Sequence, residues 1–293
     1  MNDSPRICLL MPYFGQWPFW MAFFLESCRH NPDIDWLFYS DCAPLENCPA
    51  NVRVIPMGFP EYCQQVSRTL GIDFQPRQAY KLCDIRPAFG QIHADELQGY
   101  DFWGFGDIDL VYGNLRGYFT DARLRDKDLY STHARRVSGH LCLIRNTERM
   151  RTAFQRIPRW RERFCDPQHQ ALDEGAFTRL FLRHKNLPPR LQRWLGRFNP
   201  WYRRSEFVEA FSTPLGRIDW LDGSRNFPQR WFWAPGSLRN ERDGAREFPY
   251  FHFIVWKREA WDALSPEALA ASSVFAASGA WSISAQGFEQ GPS

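Results

Sequence analysis

The sequence has no Cys-x-x-Cys and no histidine pair at zinc-ligand spacing, which excludes a structural zinc module despite eight cysteines. Cys8, Cys28, Cys42, Cys48, Cys63, Cys83, Cys142 and Cys165 are scattered, several within apolar runs, and read as buried reduced thiols of a cytosolic protein. No uninterrupted apolar segment reaches the roughly 20 residues needed to span a bilayer. Residues 1–6 lack a charged start followed by a long apolar run, so no secretory signal is expected and the expected location is the cytoplasm. Nor is there a strong excess of one charge. A net charge of +3 and a pI near 8.4 are too mild for a nucleic-acid binder, which usually presents a strongly basic face. Internal repeats are absent.

At 293 residues and 44% hydrophobic, the chain can bury a substantial core and fits one large domain, with or without an appended subdomain. Aromatics make up 16%. Most of these are read as core, although Trp and Tyr also suit stacking on a sugar or base, offering a flat apolar face with a polar edge. One stretch departs from the mild overall charge. Over residues 179–204 the chain carries Arg179, Arg183, Lys185, Arg190, Arg193, Arg197, Arg203 and Arg204 with no acid, interleaved with Leu191, Trp194, Leu195, Phe198, Trp201 and Tyr202. Two readings stay open: peripheral contact with an anionic membrane surface or a phosphorylated lipid acceptor, and a solvated helix and loop.

Ile7, Cys8, Leu9, Leu10 and Met11 form a short apolar run stopped by Pro12, which reads as a buried first strand. A helix is expected over 18–29, a second strand over 35–40 and a third over 52–55. Strand, helix, strand in this order predicts an α/β fold with a mostly parallel sheet, right-handed crossovers and ligands at the carboxyl ends of the strands. Helical segments are expected over 80–89, 92–98, 147–156 and 173–184, and strands over 129–131 and 141–144. Beyond Asn199 the pattern changes to short aromatic strands and turns, including a hairpin over 231–238 and an extended segment over 250–254. The domain is expected over 1–275. The tail, 276–293, is rich in Ser, Gly and Gln and is expected to be disordered.

The most informative stretch is Trp103-Gly104-Phe105-Gly106-Asp107-Ile108-Asp109-Leu110-Val111. Read as one extended strand, it projects Asp107 and Asp109 to the same face and turns Ile108 into the core. Two acids on one face make half a metal site: magnesium takes carboxylate oxygens at about 2.0–2.1 Å, with bound phosphates supplying further ligands. Such a pair suits activation of a nucleotide-diphosphate leaving group. His252 is the candidate third ligand, since imidazole can join two carboxylates on a borderline metal such as manganese, and Lys257 would meet a phosphate oxygen. A hydrogen-bonded core histidine is the alternative.

Lys81 and Asp84, three apart on an expected helix that also carries Arg86, would meet a phosphate and a ribose or base, or else form a surface ion pair. Pro12, Tyr13 and Gly15 end the first strand, where the backbone can approach a nucleotide and Tyr13 can stack on its base; an ordinary loop is the alternative and would look similar in sequence. Asp173 and Glu174 open a helical stretch, either as helix-terminal acids or as carboxylates facing a sugar's anomeric carbon as base or charge stabiliser. Gly139 and His140 line a sugar pocket or form a strand-entry turn.

Pro12-Tyr13-Phe14-Gly15, Asn31-Pro32-Asp33-Ile34-Asp35-Trp36, Tyr80-Lys81-Leu82-Cys83-Asp84, Gly99-Tyr100-Asp101-Phe102-Trp103-Gly104, Asp107-Ile108-Asp109-Leu110, Gly139-His140 and Tyr250-Phe251-His252-Phe253 together resemble a bacterial glycosyltransferase-like family, largely uncharacterised and often linked to surface-polysaccharide synthesis. The resemblance runs over about 7–257. It implies a GT-A-like fold, with a nucleotide-binding half over 1–112, an acceptor or sugar half over 113–275, a nucleotide-sugar donor, a hydroxyl acceptor on a glycan or glycolipid, and Mn²⁺ or Mg²⁺ on the Asp-x-Asp. The run from His252 to Lys257 is more distantly similar to the glycogenin and bacterial galactosyltransferase group, in which the histidine completes the metal site. It departs from that group: Phe253, Ile254, Val255 and Trp256 stand where glycine and other small residues are expected, and no proline follows Lys257. Asp107-Ile108-Asp109-Leu110-Val111 also fits haloacid-dehalogenase-type phosphatases, which would make Asp107 a nucleophile, although a strand-helix-strand unit precedes it here. A carbohydrate-binding protein without catalysis is the third class.

Overall fold

The computed structural model describes residues 4–183, 187–215, 218–261 and 277–291. Its strands are β1 (Ile7–Leu10), β2 (Ile34–Ser40), β3 (Val52–Pro56), β4 (Phe102–Gly106), β5 (Leu110–Tyr112), β6 (Leu129–Ser131), β7 (Leu141–Arg145), β8 (Ser205–Phe207), β9 (Arg230–Ala234), β10 (Ser237–Asn240), β11 (Tyr250–His252), β12 (Trp281–Ser284) and β13 (Gly287–Gln290). Seven of them form the central sheet, in the order β3-β2-β1-β4-β7-β6-β8. Four of its six pairings are parallel, while β7 runs antiparallel to both β4 and β6. This is the mixed, mostly parallel α/β architecture expected from the alternation of strands and helices.

Every residue of β1 is buried, as befits a strand covered on both faces. Ile7 and Leu9 join Trp36 and Phe38 in one core, and Cys8 and Leu10 join Leu37 and Tyr39 in the other. Helix α1 (Met21–Arg29) turns Met21, Phe24, Leu25 and Cys28 onto the sheet at the spacing of one helix face, and turns Phe23 toward a third, aromatic core. Helix α2 (Phe59–Leu70) covers the opposite face with Tyr62, Cys63, Val66 and Leu70, and ends at Gly71 in the left-handed region (φ +63°). It adds to the elements expected from sequence, its narrow apolar face being diluted by Gln64, Gln65, Ser67 and Arg68. All eight cysteines are unpaired, and no helix among the described residues is long and apolar enough to cross a membrane.

Three expectations are corrected. The strand expected to carry both acids ends at Gly106, because the register of β4 runs out there: Phe105 pairs with Leu10 and Gly106 with Leu141. Asp107, Ile108 and Asp109 form a bend, and the chain resumes as β5, antiparallel to β11. The tail is not a disordered segment over its described residues 277–291: β12 and β13 form a hairpin that extends a second sheet, β10-β9-β12-β13. Trp281 stacks on Trp233 at 4.8 Å and Phe288 on Phe23 at 4.1 Å, so the tail closes the aromatic core against α1. Residues 276 and 292–293 lie outside the described residues. The hairpin expected over 231–238 is present, turning at Gly236 (φ +72°). The extended segment expected over 250–254 is cut short at His252, and Ile254–Glu259 is a short helix carrying Lys257.

Candidate functional site

A cleft of about 1060 Å³ opens over the carboxyl ends of β1 and β4, and its wall includes Pro12, Tyr13, Asp107, Asp109, Gly139 and His140. Parallel strands direct their carboxyl ends to one sheet edge, and antiparallel β7 begins at that same edge, which brings Gly139 and His140 alongside the acids. Arg86, Asp173, Glu174, His252 and Lys257 complete the set of expected site residues in this wall.

Asp107, Asp109 and His252 each offer an atom within 4.8 Å of the others'. His252 Nε2 lies 3.4 Å from Asp109 Oδ1 and 3.7 Å from Asp107 Oδ2. His252 is 4% exposed, and its Nε2 is buried with no hydrogen-bond partner, whereas Nδ1 sits 3.1 Å from Thr213 Oγ1. A buried polar atom left without a partner is costly unless a ligand completes it. Two carboxylates and an imidazole are also a donor set that suits a divalent cation such as Mn²⁺ or Mg²⁺. Both acids meet protein cations as well: Lys257 Nζ donates to Asp109 Oδ2, and Arg86 Nη2 lies 2.5 Å from Asp107 Oδ1. Burial pushes the Asp109 carboxyl up, but His252 and Lys257 outweigh it and hold the group well below the ordinary carboxylate range.

Arg86 ties the two walls together. It donates to Gly139 O at 2.9 Å and lies 3.5 Å from Asp173 Oδ2. A Cβ on Gly139 would stand 3.0 Å from Arg86 Nη1 and 3.3 Å from both the Asp173 and Glu174 carboxylates, so the missing side chain makes room for this convergence. Burial pushes the Asp173 carboxyl up to about 7, with Arg86 opposing the rise and Glu174 adding to it. Glu174 in turn meets Arg136 at 3.2 Å.

The His140 ring stacks on His252 with centroids 4.7 Å apart. Its Nδ1 lies 2.6 Å from the Tyr250 hydroxyl, which donates to Thr132 Oγ1, which donates to Leu141 O. With both hydroxyl protons committed, His140 Nδ1–H is the donor to Tyr250, and Nε2 keeps its lone pair. Burial and the neighbouring His252 push this imidazole well below its ordinary range, keeping it neutral.

Lys81 and Asp84 are not brought to the cleft. Lys81 Nζ, 3% exposed, spends its donors on Asp84 Oδ2 and on the carbonyls of Arg163 and Gln168, while Asp84 also accepts the backbone N–H groups of Gln170 and Leu172. The pair clamps segment 163–172 from inside, leaving no ammonium hydrogen for a phosphate. Gly15 also lies off the cleft wall, its N–H held by Asp41 Oδ1 at 2.7 Å. Tyr13 is on the wall, with its ring stacked on Trp17 at 5.4 Å. Sequence reasoning missed Arg136, Thr213 and Thr132, which lie in loops or short strands without a motif. Tyr250 carried one usable signal: placed two before His252 in a strand, it shares that residue's face.

A family model described as a family of unknown function, DUF6625, matches residues 9–268. The chain belongs to this family. No curated protein matches the sequence. Solved structures similar to the chain include the galactosyltransferase LgtC in complex with donor and acceptor sugar analogues, at 13% identity over 72% of this chain and 90% of that one (TM-score 0.37). Mouse xyloside xylosyltransferase 1 matches at 12% identity over 71% and 87% (TM-score 0.40). A glycosyltransferase involved in glycosylation of the major capsid of PBCV-1 matches at 11% identity over 71% and 83% (TM-score 0.38).

Proposed function

We propose that this DUF6625 protein is a metal-dependent glycosyltransferase of GT-A-like fold that moves a sugar from a nucleotide-diphosphate donor to a hydroxyl of a glycan or glycolipid, in bacterial surface-polysaccharide or glycoconjugate synthesis. The observation that carries the reading is the meeting of Asp107, Asp109 and His252 Nε2, a buried nitrogen without a hydrogen-bond partner, at the carboxyl edge of parallel strands, facing a cleft of about 1060 Å³. When bound, a divalent cation supplies Lewis acidity that neutralises charge on a departing diphosphate. Asp107, Asp109 and His252 would hold it, and Arg86 pairs with the Asp107 carboxylate. Lys257, paired with Asp109 through a partly exposed side chain, would move onto a phosphate oxygen. Asp173 and Glu174 line the same cleft, where a carboxylate can act as base or stabilise positive charge on the sugar carbon. Tyr13, on the cleft wall, would stack on the base.

The test is a screen of nucleotide sugars with Mn²⁺, read as release of the nucleoside diphosphate. Asp109→Ala and His252→Ala are expected to lower turnover by about a thousandfold, near 4 kcal/mol of transition-state stabilisation. Full metal-dependent turnover in folded Asp109→Ala sinks the reading. A covalent phosphate trapped on Asp107 would place the protein with phosphatases instead.

A further inference from the structure

The acid-free stretch over 176–205 holds eight of the chain's cationic side chains, so with a net charge of only +3 the remainder of the molecule is net acidic. On it, the helix Pro189–Gly196 and the turn that follows expose Leu191 (42%), Trp194 (55%) and Phe198 (73%), three of the seven large apolar side chains exposed among the described residues. Their spacing puts them on one face, and the Trp194 and Phe198 rings pack edge to face at 5.5 Å. The other side of the segment is anchored. Trp201 is buried against Phe181 at 5.7 Å, Arg149 lies over its ring at 4.5 Å, and Asn199 donates to the carbonyls of Leu180 and Phe181. Arg179, Arg183, Arg190 and Arg197 are exposed in the same stretch, Arg190 and Arg197 next in sequence to Leu191 and Phe198, with no carboxylate partner among the described residues, unlike Arg204, which pairs with Asp128 at 2.6 Å. Lys185 lies outside the described residues.

We propose that this face docks the protein on an anionic lipid surface, with Leu191, Trp194 and Phe198 entering the headgroup boundary and the guanidinium groups meeting lipid phosphates. Charge complementarity decides the occupant. A second copy of the face would set one cationic cluster against another, whereas an anionic bilayer offers negative charge beside an apolar layer, and flat amphipathic rings suit that boundary. The docking does not depend on the chemistry proposed for the cleft.

The test is sedimentation of the full chain with vesicles of phosphatidylcholine alone and of phosphatidylcholine mixed with phosphatidylglycerol. Binding is expected to the mixed vesicles only, falling about tenfold or more in Trp194→Ser/Phe198→Ser and in Arg190→Gln/Arg197→Gln, and falling as salt rises. These side chains are exposed, so unchanged melting temperatures will show that the variants fold. Absent binding, equal binding to neutral vesicles, or variants that bind like the parent overturn the proposal. So does a concentration-dependent dimer dispersed by the same substitutions, which would identify a second copy as the occupant.

Discussion

Replacing Lys257 with Met removes one positive charge from Asp109 while keeping an apolar stem near Trp20, whose ring lies 5.8 Å from the ammonium. Asp109 is 3% exposed, and breaking a buried ion pair by removing one partner typically costs about 3–5 kcal/mol. The Lys257 side chain is 32% exposed, so water reaches its side of the pair, and about 2 kcal/mol is the reasonable loss. With an unfolding entropy of about 2.1 cal/mol/K per residue, a chain of 293 residues loses roughly 3–4 °C in melting temperature. A cation seated on Asp107, Asp109 and His252 would replace the missing charge, and at a hundred times its dissociation constant it would add about 2.7 kcal/mol. Calorimetric melts in EDTA and in MnCl2 are therefore expected to show the variant below the parent without metal and level with it when metal is saturating. The Mn²⁺-induced rise should be larger in the variant, because in the parent the ion must displace an ammonium. Equal rises in both proteins, or none in the variant, would refute the argument that ammonium and cation share one seat.

The other predictions concern buried acids. Burial raises the Asp173 carboxyl from the ordinary carboxylate range to about 7, so the native state binds its proton more tightly than the unfolded chain does. The associated stability is fully present below about pH 4 and is lost as pH rises through 7, by at most roughly 4 kcal/mol. Asp173→Asn should flatten urea midpoints across that window, and an unchanged slope would contradict the assignment. Lys81→Met should lower stability by about 3–5 kcal/mol, since Lys81 and Asp84 are 3% and 0% exposed, and leave nucleotide affinity of the folded fraction unchanged, as read by equilibrium binding. Lost affinity at unaltered stability would return Lys81 to the binding site.

Much of the framework was legible in residue order because its causes are local. Ile7, Cys8, Leu9 and Leu10 are buried on both faces of a sheet, which an unbroken apolar run announces, and α1 shows its apolar side at helical spacing. Asp107, Asp109 and His252 were likewise recognisable by residue type as a donor set, and the structure brings all three together. What only the tertiary structure decided depends on partners remote in sequence. The acids share a site because β4 runs out of paired neighbours at Gly106 and the chain bends there, and not because a strand alternates. Lys81 and Asp84 face inward because segment 163–172 lays its backbone groups over them. The described residues 277–291 of the Ser- and Gly-rich tail form a packed hairpin because Trp281 finds Trp233 and Phe288 finds Phe23. Composition and periodicity report what a segment can bury or bind. Which distant group arrives to satisfy it is settled only when the chain is packed.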